Sequence, residues 1–223
     1  TPDIICLQEL KCVTDMFPAD MLGDYAYNLY ISGQKTYNGV AILSKYPAEH
    51  VITSFPDNPI PDQARFIEVT INAPIGICRI ISLYAPNGGE IDSDKFNIKL
   101  AFYDRFIDYI KQTKNTEEKL FICSDFNIAP FDIDTYDTKK LKDSTCFTLT
   151  ERKKLRTLLN LGFEDNYRVI HPDKKEFSWW DYRAGAFQQN KGLRIDSIIS
   201  NACATSYVKD ATIDYKYREK NKP

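Results

Sequence analysis

Five polar side chains stand where apolar, strand-like runs of the chain begin or end. Glu9 follows the run IICLQ, and Tyr84 ends the run ICRIISLY. Asp125 and Asn127 follow the run KLFICS, and Asp196 opens the run DSIIS. Strand ends that continue into loops are where α/β folds place their chemistry. A fold that gathers these ends would therefore place carboxylates, a carboxamide and a phenol in one site.

That set of groups suits the hydrolysis of a phosphodiester. A carboxylate can hold Mg²⁺, which keeps most of its waters and binds through one or two carboxylates plus a substrate phosphate. The metal neutralises developing phosphate charge, and a second carboxylate can move protons. Amide and phenol groups can donate hydrogen bonds to the phosphoryl oxygens. The spacing thus predicts a metal-dependent phosphodiesterase site.

Each of these residues also has a purely structural interpretation. Asp125 and Asn127 can form Asx turns ahead of Pro130, and Asp196 can be the ion-pair partner of Arg194. Taken alone, the Asp125–Asn127 pair fits either role about equally well, whereas a single carboxylate after a strand is more often a loop residue than a metal ligand. The coincidence of all of them at strand ends favours the site.

The elements that must position these residues are readable from the apolar pattern. Short runs rich in Ile and Val, separated by Gly, Pro and Asn, predict strands. Helical periodicity predicts one helix capped by Asp92 or Ser93 and a second from Thr150, its N-cap, to Gly162. Strands outnumber helices, and several are apolar throughout, which predicts a layered α/β fold with packed sheets. The predicted strands lie in DIICLQE, NGVAILSK, RFIEVTI, ICRIISLYAP, KLFICSDF and RIDSIIS.

Composition excludes several classes of protein. The 223 residues are 43% hydrophobic and 13% aromatic, so they suit one domain with a substantial core rather than disorder. No apolar run approaches the ~20 residues of a membrane helix. The six cysteines are scattered without a C-x-x-C pair, which predicts reduced thiols and a cytoplasmic protein. The net charge of −2 leaves only local basic clusters as nucleic-acid contacts, and the candidates are RAGAFQQNKGLR and YKYREKNK.

Several segments together carry a resemblance to a known family. LQE and the D-x-N of SDFNIAP are shared by the endonuclease/exonuclease/phosphatase superfamily, whereas FSWWDYR and NKGLRID are specific to one branch. Over essentially its whole length the chain resembles the exonuclease III family of abasic-site endonucleases. The implied fold is a four-layer α/β sandwich with two packed mixed β-sheets flanked by helices. The segments are PDIICLQELK, YNGVAILSKYP, SLYAPNG, SDFNIAP, FSWWDYRAGAFQQNKGLRID and ATIDYKYREK.

The resemblance implies a catalytic role for each of the five polar residues. Glu9 corresponds to the metal-binding glutamate, and Tyr84 to the tyrosine that contacts the scissile phosphate. Asp125 corresponds to the aspartate that activates the attacking water or protonates the leaving oxygen. Asn127 corresponds to the carboxamide that orients phosphate and water, and Asp196 to the aspartate that orients the family's catalytic histidine.

The resemblance also implies residues that bind the substrate. Lys11 corresponds to the lysine beside the metal-binding glutamate, and Asn87 is a phosphate contact in the Tyr84 loop. Arg65 is expected to face the DNA backbone. The apolar wall around a flipped abasic sugar corresponds to Trp179, Trp180 and Leu193, although two tandem tryptophans can equally belong to the core.

The chain departs from the family pattern in three places. Ser124 stands where the family has Gly before the D-x-N aspartate. The family's first strand, with its asparagine, and its C-terminal Ser-Asp-His segment have no counterpart here, and neither His50 nor His171 matches the histidine. We therefore expect residues 1–223 to be a single domain from a longer protein, with impaired activity on its own.

The sequence predicts a Mg²⁺-dependent hydrolase of base-excision repair, with Mn²⁺ as the alternative metal. Its expected partner is double-stranded DNA with abasic sites or 3′ ends, and the expected state is a monomer without a membrane. One alternative is another phosphodiesterase or phosphatase of the superfamily. A second is a catalytically inactive nucleic-acid-binding regulator, the role of the catabolite-repression control protein on the same fold.

Overall fold

The computed structural model describes residues 1–23, 25–216 and 218. The strands are β1 Ile4–Gln8, β2 Asn28–Ser32, β3 Val40–Ser44, β4 Ala48–Ile52, β5 Phe66–Ala73, β6 Gly76–Tyr84, β7 Lys119–Asp125, β8 Phe163–Asp165, β9 Trp179–Trp180, β10 Gly192–Leu193 and β11 Asp196–Asn201. The α-helices are α1 Asp94–Thr113, α2 Thr138–Leu141, α3 Leu149–Leu159, α4 Asn166–Ile170 and α5 Ala202–Thr205. Short 3₁₀ helices are Thr14–Met16, Ala19–Leu22 and Asp132–Asp134.

Two sheets carry the fold. The larger sheet has six strands in the order β4-β5-β6-β7-β11-β8, and only its β6–β7 pair is parallel. The smaller sheet has the order β1-β3-β2, with both pairs antiparallel. A two-stranded ribbon of β9 and β10 lies in the segment before β11. The predicted mixed α/β architecture with packed sheets is confirmed.

The larger sheet is covered on both faces, which explains why its inner strands β5, β6 and β7 are largely buried. One face packs on the smaller sheet through Val40 and Ile42 of β3 and Val69 of β5. The other face packs on α1 and α3, where a cluster of aromatic rings includes Phe66 and Phe106. Burial of an aliphatic or aromatic side chain contributes about 1.5–3 kcal/mol. The two cores therefore hold β6 and β7, the strands that end at the site, from both sides.

The helix starts show one confirmed cap and one correction. Ser93 caps α1 as predicted, since its side chain accepts a hydrogen bond from the Phe96 amide. The predicted cap at Thr150 is wrong, because α3 begins two residues earlier. Thr148 is the N-cap, and it forms a reciprocal capping box with Glu151.

Within the described ranges 1–23, 25–216 and 218, no helix combines the length and apolar character that crossing a membrane requires.

Candidate active site

Three neighbouring strands of the larger sheet place their polar end residues side by side. Tyr84, the last residue of β6, is paired with Asp125, the last residue of β7. On the other side of β7, Asp125 is paired with Asp196, the first residue of β11. Paired strands lie about 4.8 Å apart. The register therefore puts a phenol and two carboxylates in one row at one end of the sheet.

Glu9 reaches the same place from the smaller sheet. It directly follows β1, and the Gln8 side chain donates a hydrogen bond of 2.8 Å to Ser82 Oγ on β6, which joins the two sheets. Glu9 and Lys11 both have left-handed backbone, with φ of 57° and 56°. The Lys11 ammonium lies 2.8 Å from Glu9 Oε2. A non-glycine residue in this conformation is uncommon, so the sharp turn after β1 is held by its surroundings.

The Asp125–Asn127 turn presents both side chains to the site. Asp125 Oδ1 accepts a hydrogen bond of 2.9 Å from the Asn127 amide, which is an Asx turn, and Asn127 has φ of 50°. The Asn127 side chain donates to the Ala85 carbonyl at 3.0 Å. Its Oδ1 accepts a hydrogen bond of 2.9 Å from Asn87 Nδ2. The Asx turn therefore also positions the site residues, and a hydrogen bond joins the carboxamides of Asn87 and Asn127.

The electrostatics separate the roles of Asp125 and Tyr84. Burial raises the pKa of Asp125 well above its usual value, and the negative charges of Asp196 and Glu9 raise it further. Burial, followed by the charges of Glu9 and Asp125, raises the pKa of Tyr84 to about 12. The phenol therefore stays neutral and able to donate a hydrogen bond at neutral pH. The Asp125 carboxyl group holds a proton more readily than an ordinary aspartate.

The profile of the Endonuclease/Exonuclease/phosphatase family matches residues 1–214. The chain belongs to this family.

Relatives of known activity share both sequence and fold with the chain. Exodeoxyribonuclease III of Haemophilus influenzae is 31% identical over 100% of this chain and 86% of that protein. An AP endonuclease from Archaeoglobus fulgidus is 34% identical with a TM-score of 0.93, covering 100% of this chain and 85% of that one. A 3′ phosphatase from Neisseria, solved bound to a product DNA hairpin, is 37% identical with a TM-score of 0.92 and the same coverages of 100% and 85%.

The family is metal-dependent, and the oxygen donors of the site fit a hard cation. Within the described residues, no group of three or more His, Cys, Asp and Glu side chains lies at ligating distance. Mg²⁺ needs only one or two carboxylates because it keeps several waters. The exposed carboxylate of Glu9 provides one such ligand. The crowding of carboxylates that raises the pKa of Asp125 is a second sign of fit, since a cation there relieves the repulsion.

Arg65 and Tyr84 form a stacked pair at the edge of the site. The Arg65 guanidinium lies 4.6 Å from the Tyr84 ring centroid, and its Nη1 donates to the Tyr84 carbonyl at 3.2 Å. Its Nε donates to Gln63 Oε1 at 2.6 Å. These contacts fix the phenol ring in place. A contact between Arg65 and the DNA backbone stays a prediction.

The predicted apolar wall is divided between core and surface. Trp180 and Leu193 are 5% and 6% exposed, so most of each side chain packs inside the protein. The Trp180 ring packs edge-on against Phe187 at 5.0 Å, and its Nε1 donates to Asn190 Oδ1 at 3.2 Å. Trp179 is half-buried and pairs with Leu193 across the β9–β10 ribbon. Substrate contact by all three stays a prediction, and Trp179 is the most accessible of them.

One basic candidate is wrong as a DNA contact. Arg194 of the segment RAGAFQQNKGLR is fully buried, and it forms ion pairs of 2.7 Å with both Asp134 and Asp165. Those ion pairs also replace the predicted structural pairing of Arg194 with Asp196. In the second basic segment, Lys220 and Lys222 lie outside the described residues.

The sequence reasoning missed two polar residues beneath the site. Ser178 Oγ accepts hydrogen bonds of 3.1 Å from the amides of Ile195 and Asp196, which fixes the start of β11. Lys99 donates to the loops after β6 and β7 from a buried position on α1. The only signal for Lys99 was its spacing of three and four residues from Phe96 and Tyr103, which places a charge within an apolar stripe.

Proposed function

We propose that this protein is a metal-dependent DNA nuclease of base-excision repair that cuts the backbone 5′ to abasic sites and processes 3′ ends. The alignment of Tyr84, Asp125 and Asp196 across three strands, with Glu9 facing them, carries the proposal. The relatives named exodeoxyribonuclease III, AP endonuclease and 3′ phosphatase support it.

Each side chain has a role that follows from its surroundings. Asp125, whose carboxyl group holds a proton readily, activates the attacking water or protonates the leaving oxygen. The neutral Tyr84 hydroxyl and the amides of Asn87 and Asn127 donate to the phosphate oxygens, on which negative charge develops. Asp196 stands beside Asp125 and maintains the repulsion that keeps a proton available there.

Glu9 is the proposed ligand for Mg²⁺, with Mn²⁺ as the alternative. When bound, the metal supplies neutralisation of the phosphate charge and polarisation of a phosphoryl oxygen. Lys11, whose ammonium lies 2.8 Å from Glu9 Oε2, orients that carboxylate. The hydrogen bond and the negative charge of Glu9 raise the pKa of Lys11, and partial burial offsets only part of that rise.

The proposed substrate is double-stranded DNA, and the proposed setting is a monomer in the cytoplasm. Trp179 and Arg65 flank the site and are the proposed contacts to the abasic sugar and the DNA backbone. A binding-only regulator is the rival. The mutual crowding of Glu9, Asp125 and Asp196 supports catalysis instead, because binding an anionic backbone does not call for a cluster of negative charges.

A nicking assay on a duplex with one abasic site tests the proposal. The complete protein encoded by the gene is compared with its Asp125→Ala variant in the presence of Mg²⁺. We expect the substitution to lower the nicking rate by about 10²- to 10⁴-fold, the usual contribution of a proton-transfer group. Asp108→Ala, on the exposed face of α1, is the matched control and keeps the rate. Intact nicking by Asp125→Ala would show that the assigned role is wrong.

A further inference from the structure

A fully buried ammonium group lies directly beneath the carboxamides of the site. Lys99 and Glu151 are both 0% exposed. Lys99 Nζ donates to the Asn87 carbonyl at 2.9 Å, to the Asn127 carbonyl at 2.8 Å and to Glu151 Oε1 at 2.5 Å. An ammonium has three donors and no acceptor. The three partners therefore use its whole hydrogen-bonding capacity, and two of them are the backbones of site residues.

The partner carboxylate is locked just as fully. Glu151 Oε1 also accepts from the Cys146 amide at 3.0 Å. Its Oε2 accepts from the Thr148 amide at 3.0 Å and from the Thr148 hydroxyl at 2.7 Å. A buried charge with this many partners is held in one geometry, and removing one partner alone is strongly destabilising because the other charge is left buried and unpaired. The start of α3 therefore anchors the ammonium.

The two loops that Lys99 joins approach it closely. A Cβ at Gly88, where φ is 94°, would lie 2.9 Å from Lys99 Cδ, so the Asn87 loop passes over the lysine stem where a side chain does not fit. The two loops also meet through their side chains, because Asn87 Nδ2 donates a hydrogen bond of 2.9 Å to Asn127 Oδ1. Lys99 thus fixes the distance of both loops from α1 through its hydrogen bonds to their carbonyls.

We propose that Lys99 is a positioning residue for DNA cleavage, which holds the Asn87 and Asn127 carbonyls so that their carboxamides meet the reacting phosphate. The inference rests on the proposed function. Small errors in such placement matter, because a displacement of 1 Å can lower a rate by about 10²-fold. Lys99 touches no substrate in this account and acts entirely through the two asparagines.

The test removes the charge pair without leaving a lone buried charge. In the double variant Lys99→Met and Glu151→Gln, we expect kcat for abasic-site nicking to fall about 10- to 100-fold. We expect KM to change less than about threefold, because both substituted side chains are fully buried and no exposed cation that could pair with the DNA backbone is lost. If this variant does not fold, Glu151→Asp keeps both charges and draws the carboxylate back from Lys99 Nζ, with the same kcat-specific loss expected.

A second buried pair provides the matched control. Arg79 and Glu68 form an ion pair of 2.8 Å between β5 and β6, far along the strand from Tyr84. Arg79→Met with Glu68→Gln should lower Tm to a similar extent and leave kcat within about twofold, since the pair touches no site loop. Equal kcat losses in both double variants, or an unchanged kcat in the Lys99 variant, would overturn the proposal.

A second readout separates this inference from the proposed function. If the wild-type protein cuts neither abasic nor 3′-blocked DNA, the proposed function fails. Positioning is then decided by the rate of backbone amide hydrogen exchange at Ala85, Asn87, Gly88 and residues 125–128. Faster exchange in the Lys99 variant than in the Arg79 variant supports it, and equal exchange overturns it.

Discussion

Asp125 lies under two opposing influences. Its hydrogen bond from the Asn127 amide stabilises the charged form, whereas burial and the charges of Asp196 and Glu9 favour the protonated form. The second influence is the larger, so the pKa of Asp125 is raised. A carboxylate tuned in this direction transfers protons closer to neutral pH than an exposed aspartate does.

The repulsion from Asp196 can be tested by pH dependence. In Asp196→Asn the negative charge beside Asp125 is lost, so protonation of Asp125 becomes less favourable and its pKa falls. The limb of the kcat/KM profile that reports Asp125 should therefore move to lower pH, together with a loss of rate. A rate profile from pH 5 to pH 10 measures the shift. Movement of that limb to higher pH would contradict the electrostatic assignment.

Tyr84 provides a second test at this scale. With a pKa of about 12, its hydroxyl is a neutral donor under all ordinary assay conditions. Tyr84→Phe removes that donor and keeps the ring on which Arg65 stacks. We expect kcat to fall about 10²- to 10³-fold, the cost of one transition-state donor. Thermal unfolding serves as the control and should change little, and an equal loss of Tm and activity would point to a structural role.

The elements show which parts of the fold a sequence can reveal. The apolar runs correctly predict β1, β3, β5, β6, β7 and β11, because runs rich in Ile and Val, bounded by turn residues, are typical of strands. The runs do not reveal β2, β4 and β8, which lie at sheet edges, or the two-residue strands β9 and β10. Short and edge strands depend on their neighbours rather than on their own pattern.

The residues of the site likewise divide into those that the sequence reveals and those that only the structure reveals. The sequence correctly brings together the polar residues at strand ends, since each lies directly beside a strongly apolar run. Lys99 is not found in this way, because it lies on a helix and not at a strand end, and a lysine on an amphipathic helix is normally solvated. Only the tertiary contacts with Asn127 and Glu151 reveal its burial. Likewise, Arg194 reads as surface charge until Asp134 and Asp165 are found around it.

The start of α3 gives a prediction at the scale of elements. Thr148 Oγ1 accepts a hydrogen bond of 3.2 Å from the Glu151 amide, so Thr148→Ala removes the cap. We expect the free energy of unfolding to fall by about 0.5–2 kcal/mol in chemical denaturation. Thr150→Ala is the control, because Thr150 is exposed in the first turn, and it should change stability by less than about 0.5 kcal/mol. A larger effect at Thr150 would contradict the assigned cap.

At the scale of the whole molecule, the charge balance makes the metal central to the chemistry. The protein has a net charge of −2, and its site gathers carboxylates although the proposed substrate is a polyanion. Local cations such as Lys11 and Arg65 offset only part of that negative charge.

Metal removal gives the corresponding prediction. Chelation with EDTA should abolish nicking, and Mg²⁺ or Mn²⁺ should restore it, because the phosphate charge is otherwise not neutralised. Glu9→Gln should raise the Mg²⁺ concentration needed for half-maximal rate by about tenfold or more, since one charged ligand is lost. Metal titrations of both proteins measure this value. Unchanged metal dependence in Glu9→Gln would remove Glu9 as the ligand.

The seam between the two sheets has a further consequence. Glu9 belongs to the smaller sheet, whereas Tyr84, Asp125 and Asp196 belong to the larger one, and Gln8 bridges them through Ser82. A fluctuation that parts the sheets withdraws Glu9 and leaves the other three in register. Cleavage therefore requires the two sheets to be packed together, because a molecule whose sheets separate keeps Tyr84, Asp125 and Asp196 in register but loses the contact of Glu9 with them.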